Sequence, residues 1–131
     1  MHTTTWREPD AEAAAFLDAF DRAADSTFFA ERFLTADPSR AVVTDRAALE
    51  AALPARRAMF ANAGVGPLTR TEAAQLDLDP LHVLLTVEWE ALRHGSPLNL
   101  DATFLLRRER DGLRILAYLN HRDVPRLLAA D

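Results

Sequence analysis

The chain has 131 residues, enough for one hydrophobic core and no second module, so a single domain spanning 1–131 is expected. About half the residues are hydrophobic and 27% are charged, a globular composition that excludes disorder as the default. The absence of cysteine removes disulfides, thiolate metal sites and thiol catalysis, and a net charge of −5 argues against a nucleic-acid partner.

The N-terminus, Met1 to Glu8, has no basic start followed by an apolar run, and no stretch reaches the length of a membrane span. A cytoplasmic protein without a membrane partner is the expectation. All 15 basic residues are arginine, which reads as codon bias rather than function.

After Pro9-Asp10, the residues Ala13, Phe16, Leu17, Phe20 and Ala24 recur at helical spacing, with Glu12, Asp18, Asp21 and Arg22 on the other face. Pro9 suits a helix start. The segment Asp25 to Leu34 is aromatic but ambiguous in period. It reads as a short helix or turn leading to brief strands around Phe33-Leu34 and Ala41-Val43, joined by a turn at Asp37-Pro38-Ser39.

Asp45 has the chemistry of an N-cap, and Leu49, Ala52, Leu53, Arg56, Phe60 and Ala63 form a helical stripe ended by Gly64. Pro54 lies inside this stripe and predicts a kink or break. Four long strands follow: Leu68–Leu78, Leu81–Leu92, Leu98–Arg108 and Leu113–Asn120. Asp79-Pro80, Gly95-Ser96-Pro97 and Asp111-Gly112 separate them. A last helix is expected over Val124–Ala130, capped by Asp123.

Alternation along the strands sorts side chains into two faces. Leu81, Val83, Leu85, Val87, Trp89 and Ala91 share the core face with Leu98, Leu100, Ala102, Phe104 and Leu106, and with Leu113, Ile115, Ala117 and Leu119. The other face is half-apolar, carrying Leu84, Thr86, Thr103, Leu105, Leu116 and Tyr118. Such a surface on a small domain marks self-association more often than solvent exposure, so these six residues are expected to form a symmetric homodimer contact.

Helices followed by four long strands is the order of the nuclear transport factor 2-like (SnoaL-like, cystatin-like) superfamily, and the chain resembles it in detail. Ala51 to Phe60 running into Gly64-Val65-Gly66 resembles its long helix before the sheet. Val83 to Trp89 is similar to its strand finishing in tryptophan. Phe104-Leu105-Leu106-Arg107-Arg108 and Ile115 to Asp123 resemble its closing hairpin and tail. The resemblance implies an α+β fold: N-terminal helices on a strongly curved antiparallel sheet, forming a cone with a pocket. Members of the superfamily include isomerases, cyclases and dehydratases as well as inert binding domains, so fold alone does not choose an activity. The enzymes aim an Asp, with Tyr, Asp or His partners, into the pocket, and no position here matches that constellation well enough to transfer a role.

His121 continues the parity of Ile115, Ala117 and Leu119 and is the candidate catalytic residue, projecting to the pocket rim as an acid/base group. A lone histidine with no visible partner equally fits a structural role, ordering the turn before the last helix. Asp101 faces outward unless a bulge shifts the register, and Tyr118 and Asn120 need the same shift to meet a ligand.

Phe16, Phe20, Phe33, Met59, Phe60, Trp89, Phe104 and Leu119 are the expected pocket lining. Arg56 interrupts an apolar stripe, where it either meets an anionic ligand or snorkels to solvent. His2, His82, His94 and His121 lack paired ligand spacing, and neither a nucleophile elbow nor a phosphate or dinucleotide loop is present. No metal or cofactor is therefore expected.

The reading that follows is a binding domain for a small apolar ligand. The alternatives are an isomerase- or cyclase-like enzyme moving a proton next to a carbonyl, using His121 with Asp101 or Tyr118, and a structural dimer with a filled core.

Overall fold

A computed structural model describes residues 5–129. Helix α1 (Ala11–Arg22) is capped by Asp10, whose side chain accepts from the Ala13 N–H at 2.9 Å, so Pro9 precedes the cap instead of opening the helix. A single 3-10 turn (Ser26–Phe28) leads into β1 (Phe29–Asp37) and β2 (Arg40–Asp45). Asp37 closes their hairpin by accepting from the backbone N–H groups of Ser39 at 2.8 Å and Arg40 at 3.2 Å.

Helix α2 (Arg46–Asn62) runs through Pro54 without a break, contrary to the sequence expectation. The proline leaves the Glu50 carbonyl without its helical donor, but Glu50 is exposed and water can supply the bond. Then come β3 (Thr69–Asp77), β4 (His82–Arg93), β5 (Ser96–Glu109), β6 (Gly112–Asn120) and α3 (Val124–Ala129). Ala130, expected to end α3, lies outside the described residues, as do His2 and the first part of the N-terminal segment. The β4–β5 turn is His94-Gly95, both at positive φ, and Ser96-Pro97 already belong to β5, opposite Arg93 and Leu92.

The six strands form one open sheet in the order β2-β1-β6-β5-β4-β3. It is mixed and not wholly antiparallel, because β1 runs parallel to β6 while every other neighbouring pair is antiparallel. The chain reaches β6 only after α2 and three more strands, and the β1–β2 hairpin docks on the free edge that β6 presents. Register shifts in the β1–β6, β3–β4 and β5–β6 pairings each add local twist and bend the sheet.

The bent sheet wraps α1, burying Ala13, Phe16, Leu17 and Phe20 against Val83, Leu85, Val87, Phe104, Leu106 and Ile115. Each large apolar side chain removed from water here contributes about 1.5–3 kcal/mol. Helix α2 is different: Leu53 is its one buried residue. Its apolar stripe lines a cavity, and Leu49, Met59, Phe60 and Ala63 touch the core only from its edge. Arg93 fixes the far end, donating to the Ala63 carbonyl at 3.0 Å and to Leu127 and Leu128 at 3.2 and 2.8 Å.

Candidate ligand cavity

The feature that shapes the site is one extra residue in β6. Leu105 lies opposite Ala117 and Leu106 opposite Ile115, so Leu116 has no partner across the ladder. Beyond such a bulge the alternation of faces is reset. Tyr118 comes to lie opposite Phe104 and Asn120 opposite Ala102, both core-facing positions. Leu119 moves to the outer face, opposite Thr103.

The result is a cavity of about 410 Å³ between α2, the end of α1, the β1–β2 hairpin and the concave sheet. Phe20, Phe29, Phe33, Phe60, Trp89 and Tyr118 form its aromatic walls. From α2 the residues Ala48, Leu49, Ala52, Leu53, Arg56 and Phe60 face it, a spacing set by the helical repeat. Thr35, Val42 and Thr44 face it from the hairpin, and Asn120 from the end of β6.

Four of the eight residues expected to line the pocket do so: Phe20, Phe33, Phe60 and Trp89. Phe16 and Phe104 lie in the packed core behind it, with the Phe104 ring centroid 5.0 Å from that of Tyr118 and 5.3 Å from that of Phe20. Met59 packs against the core from α2 without reaching the cavity, and Leu119 faces the opposite side of the sheet.

His121 is corrected by the same bulge. It is exposed, with Nε2 2.7 Å from the Thr103 hydroxyl on the outer face, and its backbone N–H donates to the Asp101 carbonyl at 3.1 Å. That geometry fits the structural reading of the residue, ordering the turn before α3. Asp101 stays on the outer face opposite Glu88, so the trio of His121, Asp101 and Tyr118 is not assembled. Tyr118 also leaves the expected dimer contact by turning inward.

Several polar residues at the cavity escaped the sequence reading. Asp21 lay on the polar side of α1 by periodicity, yet it lines the cavity. One of its oxygens accepts from the Trp89 indole N–H at 3.0 Å and the other from Arg70 at 2.9 Å. Asp25 is held by the Thr27 N–H at 2.8 Å and by the Thr27 hydroxyl. These donors, the hydroxyl first, keep the Asp25 carboxyl below its usual range.

Burial pushes the Tyr118 phenol above its ordinary value, with the positive charge of Arg56 opposing. Among the described residues the phenol of Tyr118 and the amide of Asn120 have no side-chain hydrogen-bond partner, and both face the cavity. The histidines His82, His94 and His121 stand apart from one another. Among the described residues no three His, Asp or Glu side chains cluster as metal ligands. No helix among them is long and apolar enough to cross a membrane.

No protein-family model matches the sequence, and no curated protein matches it. Solved structures do resemble it in shape. Aln2 from a Streptomyces species superposes with a TM-score of 0.69 at 15% identity, covering 95% of this chain and 100% of its own. An NTF-2 like protein of unknown function from Shewanella oneidensis gives 0.62 at 14% identity, over 84% and 96% of the two chains. A ketosteroid isomerase-like protein from Erwinia carotovora atroseptica gives 0.55 at 19% identity, over 86% and 92%. At these identities the likeness concerns architecture, and the chain has the nuclear transport factor 2-like, cystatin-like α+β fold.

Proposed function

We propose that the protein binds a small, largely apolar molecule in the cavity between α2 and the sheet. The observation that carries this reading is the concave aromatic wall, into which the β6 bulge turns two polar groups, Tyr118 and Asn120, with no side-chain partner among the described residues. Mostly apolar concave sites with a few convergent polar groups are what small-molecule recognition requires, and about 410 Å³ falls in the usual range of about 300–1,000 Å³. The test is titration with the neutral fluorophore N-phenyl-naphthylamine. Saturable binding at one site per chain is expected in the native protein. It should be lost in Ala52→Trp, which fills the cavity from an exposed helix position that tolerates a larger side chain. Absence of binding, or binding unchanged by the filling substitution, would refute the reading.

A proton-transfer enzyme is the second reading, favoured by one observation: the Asp21 carboxylate and the Tyr118 phenol line the same cavity. Both Asp21 oxygens are already engaged, by Trp89 and Arg70, which ranks simple binding ahead. The outer face supports a further proposal, a homodimer through Leu84, Thr86, Thr103, Leu105 and Leu116, with the half-buried Leu119 added and Tyr118 removed. Leu105→Arg should convert a dimer to a monomer in sedimentation, and a wild-type monomer at high concentration would overturn the assignment.

A further inference from the structure

The cavity wall holds a cation, Arg56, that has no ion-pair partner among the described residues. Arg56 lies on the α2 stripe with Leu49, Ala52, Leu53 and Phe60, and its guanidinium carbon sits 5.2 Å from the centroid of the Phe60 ring. This cation–π contact favours the side chain at the cavity wall, where a free arginine would extend to solvent. Its field reaches the Tyr118 phenol across the cavity. A guanidinium over a ring face still has N–H donors that the ring does not take up.

Among the described residues Arg56 makes no ion pair and no hydrogen bond, whereas both cavity carboxylates are committed. Asp21 is tied to Arg70 and Trp89, and Asp25 to Thr27. The other cationic side chain at the cavity is Arg40, exposed at the start of β2. A neutral ligand closing over Arg56 would strip water from a cation with no ion-pair partner among the described residues, which is costly. A carboxylate would accept two parallel N–H bonds from Arg56 while its apolar body fills the aromatic walls.

Building on the proposed binding role, we infer that the ligand is an amphipathic organic anion, an aromatic-sized apolar body with one carboxylate seated on Arg56. Tyr118 and Asn120 then serve the ligand's neutral oxygens from the sheet side.

The experiment uses the full chain and isothermal titration calorimetry with two matched pairs: naphthoate against naphthamide, and octanoate against octanamide. Each acid is expected to bind about 10- to 100-fold more tightly than its amide, the range of a charge-assisted hydrogen-bonded contact. In Arg56→Met the preference should vanish while amide binding stays. Arg56→Lys should retain part of it, since the charge remains and the paired geometry is lost. Urea midpoints of both variants verify the fold.

Acids and amides bound equally well would overturn the anion inference and leave the apolar cavity reading standing. An acid preference surviving in Arg56→Met would also overturn it, by placing the anion elsewhere. Failure of all four compounds to bind or to displace N-phenyl-naphthylamine would overturn the inference. Failure of that fluorophore as well would overturn the cavity reading with it.

Discussion

Replacing Gln75 with methionine removes the one fully buried polar side chain among the described residues while nearly preserving its volume. Gln75 sits in β3 and fastens the N-terminal segment to the sheet. Its Oε1 accepts from the Asp10 backbone N–H at 2.9 Å, and its Nε2 donates to Asp10 Oδ2 at 3.1 Å and Asp77 Oδ1 at 2.8 Å. Backbone bonds of 2.9 and 2.7 Å with Arg7 flank it. A neutral hydrogen bond contributes about 0.5–1.5 kcal/mol and one to a charged group about 1.5–3. Asp10 and Asp77 are 31% and 46% exposed and regain water when the amide is lost, so the net cost is about 3 kcal/mol. With an unfolding entropy of about 2.1 cal/mol/K per residue, that cost lowers Tm by about 10 °C.

The penalty is also pH-dependent. The Gln75 amide, ahead of Arg7, holds the Asp77 carboxyl below its usual value of 3.8. At Asp10 the Ala13 N–H is the largest cause, and Gln75 and Arg7 add to it. Both native pKa values are depressed, so the stabilisation is complete above the unfolded value and is lost as pH falls through the native one. Urea unfolding of Gln75→Met and wild type at neutral pH and below about pH 4 is the assay. The gap between them should narrow in acid. A neutral-pH loss under about 1 kcal/mol, or a gap that widens in acid, would refute the hydrogen-bond reasoning.

Two further predictions address β6. Ile115→Ala should cost about 2–5 kcal/mol, because Ile115 is 0% exposed, whereas Leu119→Ala should cost about 1 kcal/mol or less. Unfolding is measured at several protein concentrations, since the outer face is the proposed dimer contact, and equal costs would place Leu119 in the core and remove the bulge from the argument. Tyr118 is the one tyrosine of the chain, so near-ultraviolet tyrosinate absorbance reports it alone. Burial raises its native pKa, so the stability it contributes is full below the unfolded value near 10.0 and is lost as pH rises through the native one. The absorbance should therefore appear later in native protein than in urea, and coincident titrations would place the phenol in water.

The elements of this fold are written locally. Ala13, Phe16, Leu17 and Phe20 repeat as a helix, and Asp45 caps α2 as its position suggests. Val83 to Ala91 and Leu98 to Leu106 alternate without interruption, and both strands present the faces that alternation assigns. One helical or strand repeat is a property of a single segment, so a single segment carries it.

The cavity is written elsewhere. A bulge exists only between two strands, as two residues facing one, and β6 alone carries no mark of it. Leu113, Ile115, Ala117 and Leu119 continue the apolar alternation, and Leu116 is as apolar as its neighbours, so either phase of the strand suits a core. Pairing with β5 and β1 decides between them and sends Tyr118 and Asn120 inward and His121 outward. Asp21 likewise reads as a surface charge until β3 and β4 bring Arg70 and Trp89 to it. Sequence alone thus determined α1, the cap of α2 and the faces of β4 and β5, but not the unbroken run of α2 through Pro54 or the full length of β1. Tertiary pairing decided which polar groups meet in the cavity, because register between strands distant in the chain is set by contacts that no single strand contains.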